Sequence, residues 1–223
     1  MCGRFTLTVD PQQLQESFPW IAISKDYQRR YNVAPTQQIA IVANNGEQRI
    51  EYYVWGLIPF WAKDPNLGLR LINARSETIA EKPAFRSSFQ KKRCLILADG
   101  FYEWSSSPES KAKTPMYIRL KSHKPFAFAG LWDIWTSPNG NEIRSCTIIT
   151  TSPNPLMAPI HNRMPVILSP EEYQAWITPG QIQPSTLVPL LDPYPADEME
   201  AFPVSRLVNS PNNDSPACIS QII

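Results

Sequence analysis

The sequence predicts a single α+β domain made mostly of antiparallel strands, and three features support this prediction. Its 223 residues suit one large domain, and 43% of them are hydrophobic, enough to form a core. Short apolar or alternating runs recur between turn sequences such as Asn44-Asn45-Gly46. The 23 prolines against 8 glycines favour short elements and ordered loops, because proline interrupts helices and central strands.

The elements of the first half follow from these patterns in order. Residues 3–9 alternate as a strand, and Asp10 with Pro11 then begins a short helix that is predicted to end near Phe18. Residues 19–36 are expected to be irregular. Alternation and flanking turns predict, in order, strands over 37–43 and 48–55, a loop over 56–65, a helix over 84–91 and a buried strand over 93–98.

The second half continues with strands and one clear helix start. Residues 105–114 are predicted to form a polar, mobile loop. Ser169-Pro170-Glu171-Glu172 begins a helix to about Ile177, and residues 199–208 are expected to add a short helix and a strand. No repeat or linker is visible, so one domain over 1–223 is expected. Strands are predicted over 101–104, 116–120, 126–131, 143–150 and 166–168.

Charge and cysteine content argue against several classes of protein. The net charge of +1 gives no bulk field for nucleic acid or membranes, so any anion site must come from local arginines and lysines. The four cysteines form no CxxC pair and the two histidines have no ligand spacing, so we expect no metal and no cofactor. Cys94 and Cys146 lie in apolar runs and should pack as small hydrophobic residues. Without a signal peptide or a run of 18 apolar residues, a cytosolic protein with reduced thiols and no membrane partner is expected.

The N-terminal sequence Met1-Cys2-Gly3-Arg4 offers a reactive group that no internal cysteine has. Removal of Met1 would leave Cys2 with a free α-amine and a thiol on adjacent carbons. The amine can condense with an aldehyde to a Schiff base, and the thiolate can then close a five-membered thiazolidine ring. The two pKa values, about 7.7 and about 8.5, lie near neutrality, so modest electrostatics would activate either group. A cysteine in a frayed terminus is the plain alternative.

Four further stretches carry residues suited to chemistry, and each also has a plain structural reading. The amide of Asn73 can orient an amine and Arg75 can clamp a phosphate, although a turn residue and a surface cation explain the same pattern. Glu103 lies among aromatic residues, which would raise its pKa toward an acid/base range unless it faces solvent. His161 lies between prolines and can shuttle protons, but most loop histidines are bystanders. Trp61 either stacks on unpaired bases or belongs to the core.

Arginines lie near these candidates. Arg4 neighbours Cys2, and Arg75 and Arg163 neighbour two of the others. If the segments converge, they would form a positive pocket that suits a phosphodiester backbone. Such a pocket would also lower the pKa values of the Cys2 amine and thiol.

Six short motifs occur in order along nearly the whole chain. They are Met1-Cys2-Gly3-Arg4-Phe5, Tyr31-Asn32-Val33-Ala34-Pro35, Trp55-Gly56-Leu57-Ile58-Pro59, Ile72-Asn73-Ala74-Arg75-Ser76-Glu77-Thr78, Ala98-Asp99-Gly100-Phe101-Tyr102-Glu103-Trp104 and Ile160-His161-Asn162-Arg163-Met164-Pro165. Together they resemble the motif series of the SOS response-associated peptidase (SRAP) domain family, also called abasic site processing proteins. The resemblance runs from Cys2 to about Asn209, which would be the domain core, followed by a short tail.

The resemblance implies a fold and a reaction. The fold would be a pseudo-barrel of antiparallel strands with short flanking helices. The mature Cys2 would form a thiazolidine with the ring-opened aldehyde of an abasic site in single-stranded DNA, which shields the site from strand cleavage. By motif, Cys2 is the nucleophile and Asn73 positions its amine. Glu103 would act as acid/base in Schiff-base formation and reversal, and His161 would assist sugar ring opening.

The same resemblance implies DNA contacts and associated activities. The residues that match contacts with the DNA backbone are Arg4, Arg75 and Arg163. The residues that match the surface holding the strand and bases are Asn32, Pro35 and Trp61. The peptidase label refers to release of Met1, by self-cleavage or by a host aminopeptidase, and a lyase activity is also ascribed to the family. A link to the SOS response follows only from the family name, and we expect a monomer, associated with the nucleoid if the source is bacterial. Asn162 stands where the family often has Asp, and the loss of this negative charge is expected to weaken the orientation of Arg163 without abolishing activity.

Two rival functions use the same residues. In an N-terminal nucleophile amidohydrolase, Cys2 would attack an amide and Asn73 would help to form an oxyanion hole. That reading predicts turnover of a small amide or peptide and no stable link to DNA. In a non-catalytic DNA-junction binder, Cys2 is incidental, and Cys2→Ala would bind abasic and intact single strands alike.

Overall fold

The structure, a computed structural model, describes residues 2–107 and 110–222 and consists mainly of short strands. The strands are β1 Phe5–Leu7, β2 Arg30–Val33, β3 Gln38–Ala43, β4 Glu51–Trp55, β5 Asn73–Arg75, β6 Arg93–Ala98, β7 Gly100–Ser107, β8 Ser110–Leu120, β9 Phe126–Thr136, β10 Glu142–Thr151, β11 Met164–Pro165, β12 Ile167–Leu168 and β13 Met199–Pro203. The helices are α1 Pro11–Ser17, α2 Arg86–Lys91, α3 Tyr173–Trp176 and α4 Pro184–Leu187. This strand-dominated α+β domain confirms the predicted fold class.

Five strands close into a barrel. β10, β4, β3, β6 and β9 pair in that order, and β9 pairs again with β10, which completes the ring. Most of these pairs are antiparallel, but β4 runs parallel to β10, and β5 also joins β10 in parallel. A closed sheet has no free edge, so its backbone donors and acceptors are satisfied within the barrel.

The second sheet carries the N-terminus. Its order is β13-β8-β7-β1-β2, and β1 pairs antiparallel with β7 through Phe5 opposite Phe101 and Thr6 opposite Gly100. Gly100 must lack a side chain, since a Cβ there would lie 2.2 Å from the hydroxyl of Tyr117. That hydroxyl lies 2.9 Å from Thr6 Oγ1, so the close approach helps to hold β1 in place.

Asp99 anchors the other end of β1. Its buried carboxylate accepts hydrogen bonds from the hydroxyls of Thr6 and Thr8, at 2.5 and 2.6 Å, and from the amide of Val9 at 3.1 Å. Hydrogen bonds to a charged acceptor are stronger than neutral ones. The segment that follows Cys2 is therefore a fixed strand and not a loose tail.

Several predicted elements are confirmed. Helix α1 begins with the predicted cap, because Asp10 accepts from the Gln13 amide and Gln13 bonds back to Asp10. Strand β6 has the predicted bounds, and Cys94 and Cys146 are fully buried, as expected.

Two predicted loops are wrong in part. Residues 105–107 extend β7 and residues 110–114 belong to β8, so the segment described as a mobile polar loop is largely a hairpin. Its residues 108 and 109 lie outside the described residues. The supposedly irregular segment 19–36 contains β2, which pairs with β1. Polar sequences form strands in both places because a neighbouring strand supplies the backbone hydrogen bonds.

Within 2–107 and 110–222, no helix has the length and apolar character needed to cross a membrane. Residues 210–222 contact the body of the domain, where Cys218 is fully buried and Val204 forms a bridge with Gln221.

Candidate active site around Cys2

Cys2 lies at the centre of the candidate site. It is fully buried in a hydrophobic cluster that also contains Met157 and Met164. Its thiol lies 4.0 Å from the carbonyl of Arg4, and its own carbonyl accepts a hydrogen bond of 2.8 Å from Asn73 Nδ2. Met1 lies outside the described residues.

Strand β5 brings Asn73 to this position. Asn73 lies opposite Ile148 in the parallel pair of β5 with β10, and the barrel therefore fixes its backbone. The amide nitrogen is used by Cys2, whereas Oδ1 is buried and makes no hydrogen bond with the described residues. A buried acceptor without a donor is costly, so this oxygen is suited to accept from an amine brought next to it.

Glu103 reaches the same place from β7. The amide of Tyr102 donates to the carbonyl of Arg4 at 2.9 Å, so the residues before β1 run alongside those after Phe101. Glu103 is only 3% exposed, and this burial raises its pKa to about 7. The raised acid/base range expected for this carboxyl is therefore present.

The thiol of Cys2 differs from the prediction. Burial raises its pKa far above the usual value, and the negative charge of Glu103 raises it further. The expected lowering of the thiol pKa is therefore wrong, since desolvation and the Glu103 carboxylate outweigh the lowering effect of the contact with the Arg4 carbonyl. At neutral pH the thiol is protonated, and its use as a nucleophile requires a base to take the proton.

His161 lies in the loop before β11, whose residues Met164 and Pro165 pair with the end of β10. His161 Nδ1 lies 3.0 Å from the amide nitrogen and 3.2 Å from the carbonyl oxygen of Arg163, so the backbone of Arg163 holds the ring in place. Burial lowers the pKa of His161 below its usual value, and the imidazole is therefore neutral at pH 7.

Lys113 of β8 is a residue that the sequence analysis did not single out. Burial has the largest effect on the pKa values of Glu103 and His161. The positive charge of Lys113 acts on both groups as well and lowers both pKa values. Both titratable groups therefore lie within its electrostatic range. No motif pointed to Lys113, because the segment that carries it was interpreted as a loop.

The three arginines have different surroundings. Arg4 Nη1 donates to Asn32 Oδ1 at 2.8 Å and to the Val208 carbonyl at 2.7 Å. Arg75 is exposed and has no hydrogen-bond or ion-pair partner for its side chain among the described residues.

Arg163 is held by Glu77 and Thr150. It forms a bidentate ion pair with Glu77, with Nη2–Oε2 at 2.9 Å, and donates to the Thr150 carbonyl at 2.5 Å. Asn162, by contrast, is exposed. Glu77 therefore supplies the negative charge that Asn162 lacks, and the sequence analysis did not identify this partner.

The residues matched to the strand and bases fall into two groups. Trp61 is 47% exposed on the loop after β4, next to the exposed Phe60, and Pro35 is half-buried. Asn32 is fully buried, and its Nδ2 donates to the carbonyls of residues 208, 210 and 213. Trp61 and Pro35 are thus accessible to a ligand, whereas Asn32 makes internal contacts.

Among the residues that the structure describes, no group of three His, Cys, Asp or Glu side chains is arranged to hold a metal ion. The amide of Asn73, the carboxyl of Glu103 and the thiol of Cys2 meet at the site, and the imidazole of His161 shares with Glu103 the electrostatic influence of Lys113. They can orient a nucleophile and transfer protons near neutral pH.

Comparisons with known proteins cover nearly the whole chain. A family model described as SOS response associated peptidase (SRAP) matches residues 1–211. The abasic site processing protein YoqW of Bacillus subtilis (strain 168) is 50% identical over 222 residues, 98% of this chain and 99% of that protein. The abasic site processing protein HMCES of Xenopus tropicalis is 31% identical over 268 residues, 100% of this chain and 79% of that protein.

Solved structures show the same fold. An X-ray crystal structure of a protein from Bacteroides thetaiotaomicron matches with a TM-score of 0.89 and 28% identity, covering 100% of both chains. One from Bordetella bronchiseptica matches with a TM-score of 0.79 and 27% identity, covering 92% of this chain and 100% of that one. The arrangement of strands around Cys2 is therefore shared with these crystal structures.

Proposed function

This chain belongs to the SOS response associated peptidase (SRAP) family, and on that basis we propose that it processes abasic sites in DNA. The proposed reaction is covalent: after loss of Met1, the aminothiol of Cys2 forms a thiazolidine with the lesion in single-stranded DNA and shields it from strand cleavage. The observation that carries this proposal is the 2.8 Å hydrogen bond from Asn73 Nδ2 to the Cys2 carbonyl. It fixes the backbone of the residue whose amine must react.

The first step is attack by the Cys2 amine on the aldehyde carbon. A proton moves from nitrogen to oxygen in the adduct, which then loses its hydroxyl as water when an acid protonates it, and this leaves a protonated imine. Asn73 Oδ1 is a buried acceptor suited to orient the amine, so that its lone pair faces the aldehyde. Glu103, with a pKa raised to about 7, can supply the proton that the leaving hydroxyl needs.

The second step is ring closure by the thiol. Because the Cys2 thiol pKa is raised, its proton must be removed as sulfur attacks the imine carbon. The carboxylate of Glu103, which has just given up a proton, can take this one. The nitrogen of the protonated imine keeps its hydrogen, receives the electron pair of the C=N double bond and becomes the ring amine. The same carboxyl working in reverse would release the DNA.

His161 is proposed to open the sugar. A closed abasic sugar is a hemiacetal and must lose its hydroxyl proton while its ring oxygen gains one. A neutral imidazole with one bare and one protonated nitrogen can perform such transfers. The pKa of His161, lowered by burial, keeps the ring in this neutral form at pH 7.

DNA binding is proposed to use the arginines and the exposed aromatic loop. Arg75 is available for a phosphate, while Arg4 and Arg163 are held in place by internal acceptors. Trp61, 47% exposed, can stack on bases that are not paired. Asn32 is proposed to act through Arg4, since its own amide is buried.

Removal of Met1 by the protein itself, and a lyase activity at the abasic site, are further parts of this proposal. Both would use Glu103 for proton transfer. The amidohydrolase alternative is less well supported, because Asn73 Nδ2 donates to the carbonyl of Cys2 itself. An oxyanion hole needs that donor free for the substrate.

The test is a denaturing gel. Protein shown by its mass to begin at Cys2 is mixed with single-stranded DNA that carries one abasic site, beside Cys2→Ala and Cys2→Ser controls. A heat-stable shifted band with the wild type alone supports the proposal. A band that survives in Cys2→Ala would show that an amine alone, that of residue 2 or of a lysine, holds the DNA without the thiol, and no band at all would favour the amidohydrolase.

A further inference from the structure

Arg4 is a cation that has no counter-charge among the residues that the structure describes. It is half-buried, and no carboxylate of the described residues forms an ion pair with it. Its Nη1 donates only to neutral oxygens, those of Asn32 and Val208, and its buried Nε has no hydrogen-bond partner among the described residues. A partly desolvated guanidinium of this kind is suited to bind an anion.

The two oxygens that hold Arg4 depend on the C-terminal segment. Val208 belongs to the 3₁₀ turn Arg206–Asn209, and Asn32 is oriented by the carbonyls of residues 208, 210 and 213, at 3.2, 3.0 and 2.7 Å. With its nitrogen directed at these carbonyls, Asn32 must direct its oxygen at Arg4. The position of Arg4, two residues from Cys2, is therefore determined by residues some 200 positions away.

Asp214 ties this segment to strand β2. Its carboxylate accepts from the Tyr31 amide and from Arg30 Nε, both at 2.5 Å. Asn213 closes the segment on itself by donating to the Leu207 carbonyl at 2.8 Å. These contacts make residues 205–218, which we name the C-terminal clamp, a built structure and not a trailing end.

The clamp also contacts the aromatic neighbour of Arg4. Trp104 Nε1 donates to Asn209 Oδ1 at 2.8 Å, and the guanidinium of Arg4 lies 5.9 Å from the centre of the Trp104 ring. The guanidinium thus has an aromatic ring beside it and clamp-held oxygens at Nη1. Because these contacts already restrain the side chain of Arg4, it loses less conformational entropy on binding than a surface arginine would.

We propose that the C-terminal clamp positions Arg4, through Asn32, to bind the DNA phosphate next to the abasic site. The inference rests on the proposed function and adds to it a positioning role for Asn32 and Asp214. The family match ends at residue 211, so part of the clamp lies beyond it. Asp214 itself does not contact DNA, but it determines how strongly Arg4 binds the phosphate.

The test measures the salt dependence of DNA binding. Fluorescence anisotropy follows a single-stranded oligonucleotide with one tetrahydrofuran residue, which cannot crosslink, bound to wild type, Arg4→Gln, Asp214→Ala and the double variant. Loss of one phosphate contact should reduce the slope of log K against log salt by about 0.7. We expect this in Arg4→Gln, a smaller reduction in the same direction in Asp214→Ala, and no further loss in the double variant.

Two variants serve as controls. Glu200→Gln breaks an ion pair with Arg119 whose exposure is similar to that of Arg30–Asp214, and it should leave the slope unchanged. Asp214→Asn keeps the acceptor for the Tyr31 amide and should restore most of the binding. A purely structural role for Asp214 would lower thermal stability but leave the salt slope as in the wild type.

Additive losses in the double variant, or a wild-type slope in Asp214→Ala, would overturn the clamp while leaving the proposed function intact. If the wild type binds no DNA, the proposed function fails. The positioning of Arg4 by the C-terminal clamp is then tested in the protein without DNA. The Nε–Hε signal of Arg4 in NMR spectra, assigned by its absence in Arg4→Gln, should then shift or broaden in Asp214→Ala. An unchanged signal would overturn the inference.

Discussion

Cys2 and Cys146 are two thiols of one hydrophobic cluster, and they share burial and a raised pKa but differ in the groups around them. Neither is exposed, and desolvation raises the pKa of both. Cys146 lies within strand β10, with its sulfur 3.7 Å from the Val54 carbonyl. Cys2 precedes strand β1. Its carbonyl accepts a hydrogen bond from Asn73, and the negative charge of Glu103 acts on its thiol.

The difference teaches that neither a low thiol pKa nor exposure marks the candidate nucleophile here. Both thiols are protonated at neutral pH, so sulfur alone does not distinguish them. What distinguishes Cys2 is its potential α-amine and a carboxyl whose pKa of about 7 allows it to give and take protons. The experiments that follow remove these distinctions one at a time.

Removal of the thiol itself should have the largest effect. Cys2→Ala should abolish the heat-stable DNA adduct, whereas Cys146→Ala should form it at close to the wild-type rate. The second change leaves a small void in the core and should cost about 1 kcal/mol of stability. Gel-based crosslinking rates and chemical denaturation check the two statements, and equal loss of crosslinking in both variants would refute the distinction.

Removal of the carboxyl should leave Cys2 with surroundings closer to those of Cys146. Glu103→Gln should slow crosslinking by about 10³-fold, within the usual range for general acid–base catalysis. The wild-type pH–rate profile should change slope near pH 7, and this change should be absent in Glu103→Gln. An inflection that persists in the variant would assign the proton transfer to another group.

The same substitution should stabilise the fold at alkaline pH. The pKa of Glu103 is about 7 in the folded chain against 4.5 for the ordinary group, so the folded state holds its proton more tightly. The contribution of Glu103 to the free energy of unfolding is therefore fully present below about pH 4.5 and is lost as the pH rises through 7. Glu103→Gln should match the wild type at pH 4 and exceed it by up to about 3 kcal/mol at pH 8. Urea denaturation at both pH values measures this, and a variant less stable at pH 8 would contradict it.

His161 should matter only for substrates whose sugar must be opened. His161→Gln should slow crosslinking to an abasic site by about 10²-fold. An oligonucleotide with an aliphatic aldehyde and no ring hydroxyl should react with the variant as fast as with the wild type. A similar slowing with both substrates would place His161 in the imine or thiol step instead.

The sequence predicted local features better than long-range ones. The cap at Asp10, the bounds of β6 and the burial of Cys94 follow from neighbouring residues, and all three are confirmed. The parallel pairing of β4 with β10 closes the barrel between segments about 90 residues apart, and no local pattern encodes it.

The site shows the same limit. Its candidate residues came from motifs, and the structure brings Cys2, Asn73 and Glu103 together. The raised pKa of the Cys2 thiol could not be predicted, because it depends on how deeply Cys2 is buried, and the spacing of residues in the sequence does not show this. The Glu77–Arg163 pair was missed for a similar reason, since the two residues meet only through the pairing of β5 and β11 with β10.

The central claim is that amine and thiol of Cys2 react with the same aldehyde carbon, and mass spectrometry of the adduct tests it most directly. The adduct should weigh as much as the Met1-free protein plus the abasic oligonucleotide, less one water. Digestion should place the DNA on the peptide that begins at Cys2, and treatment with cyanoborohydride should leave the mass unchanged, because a thiazolidine has no imine to reduce. A gain of two hydrogens would show an open Schiff base, and an adduct on any other peptide would contradict the account.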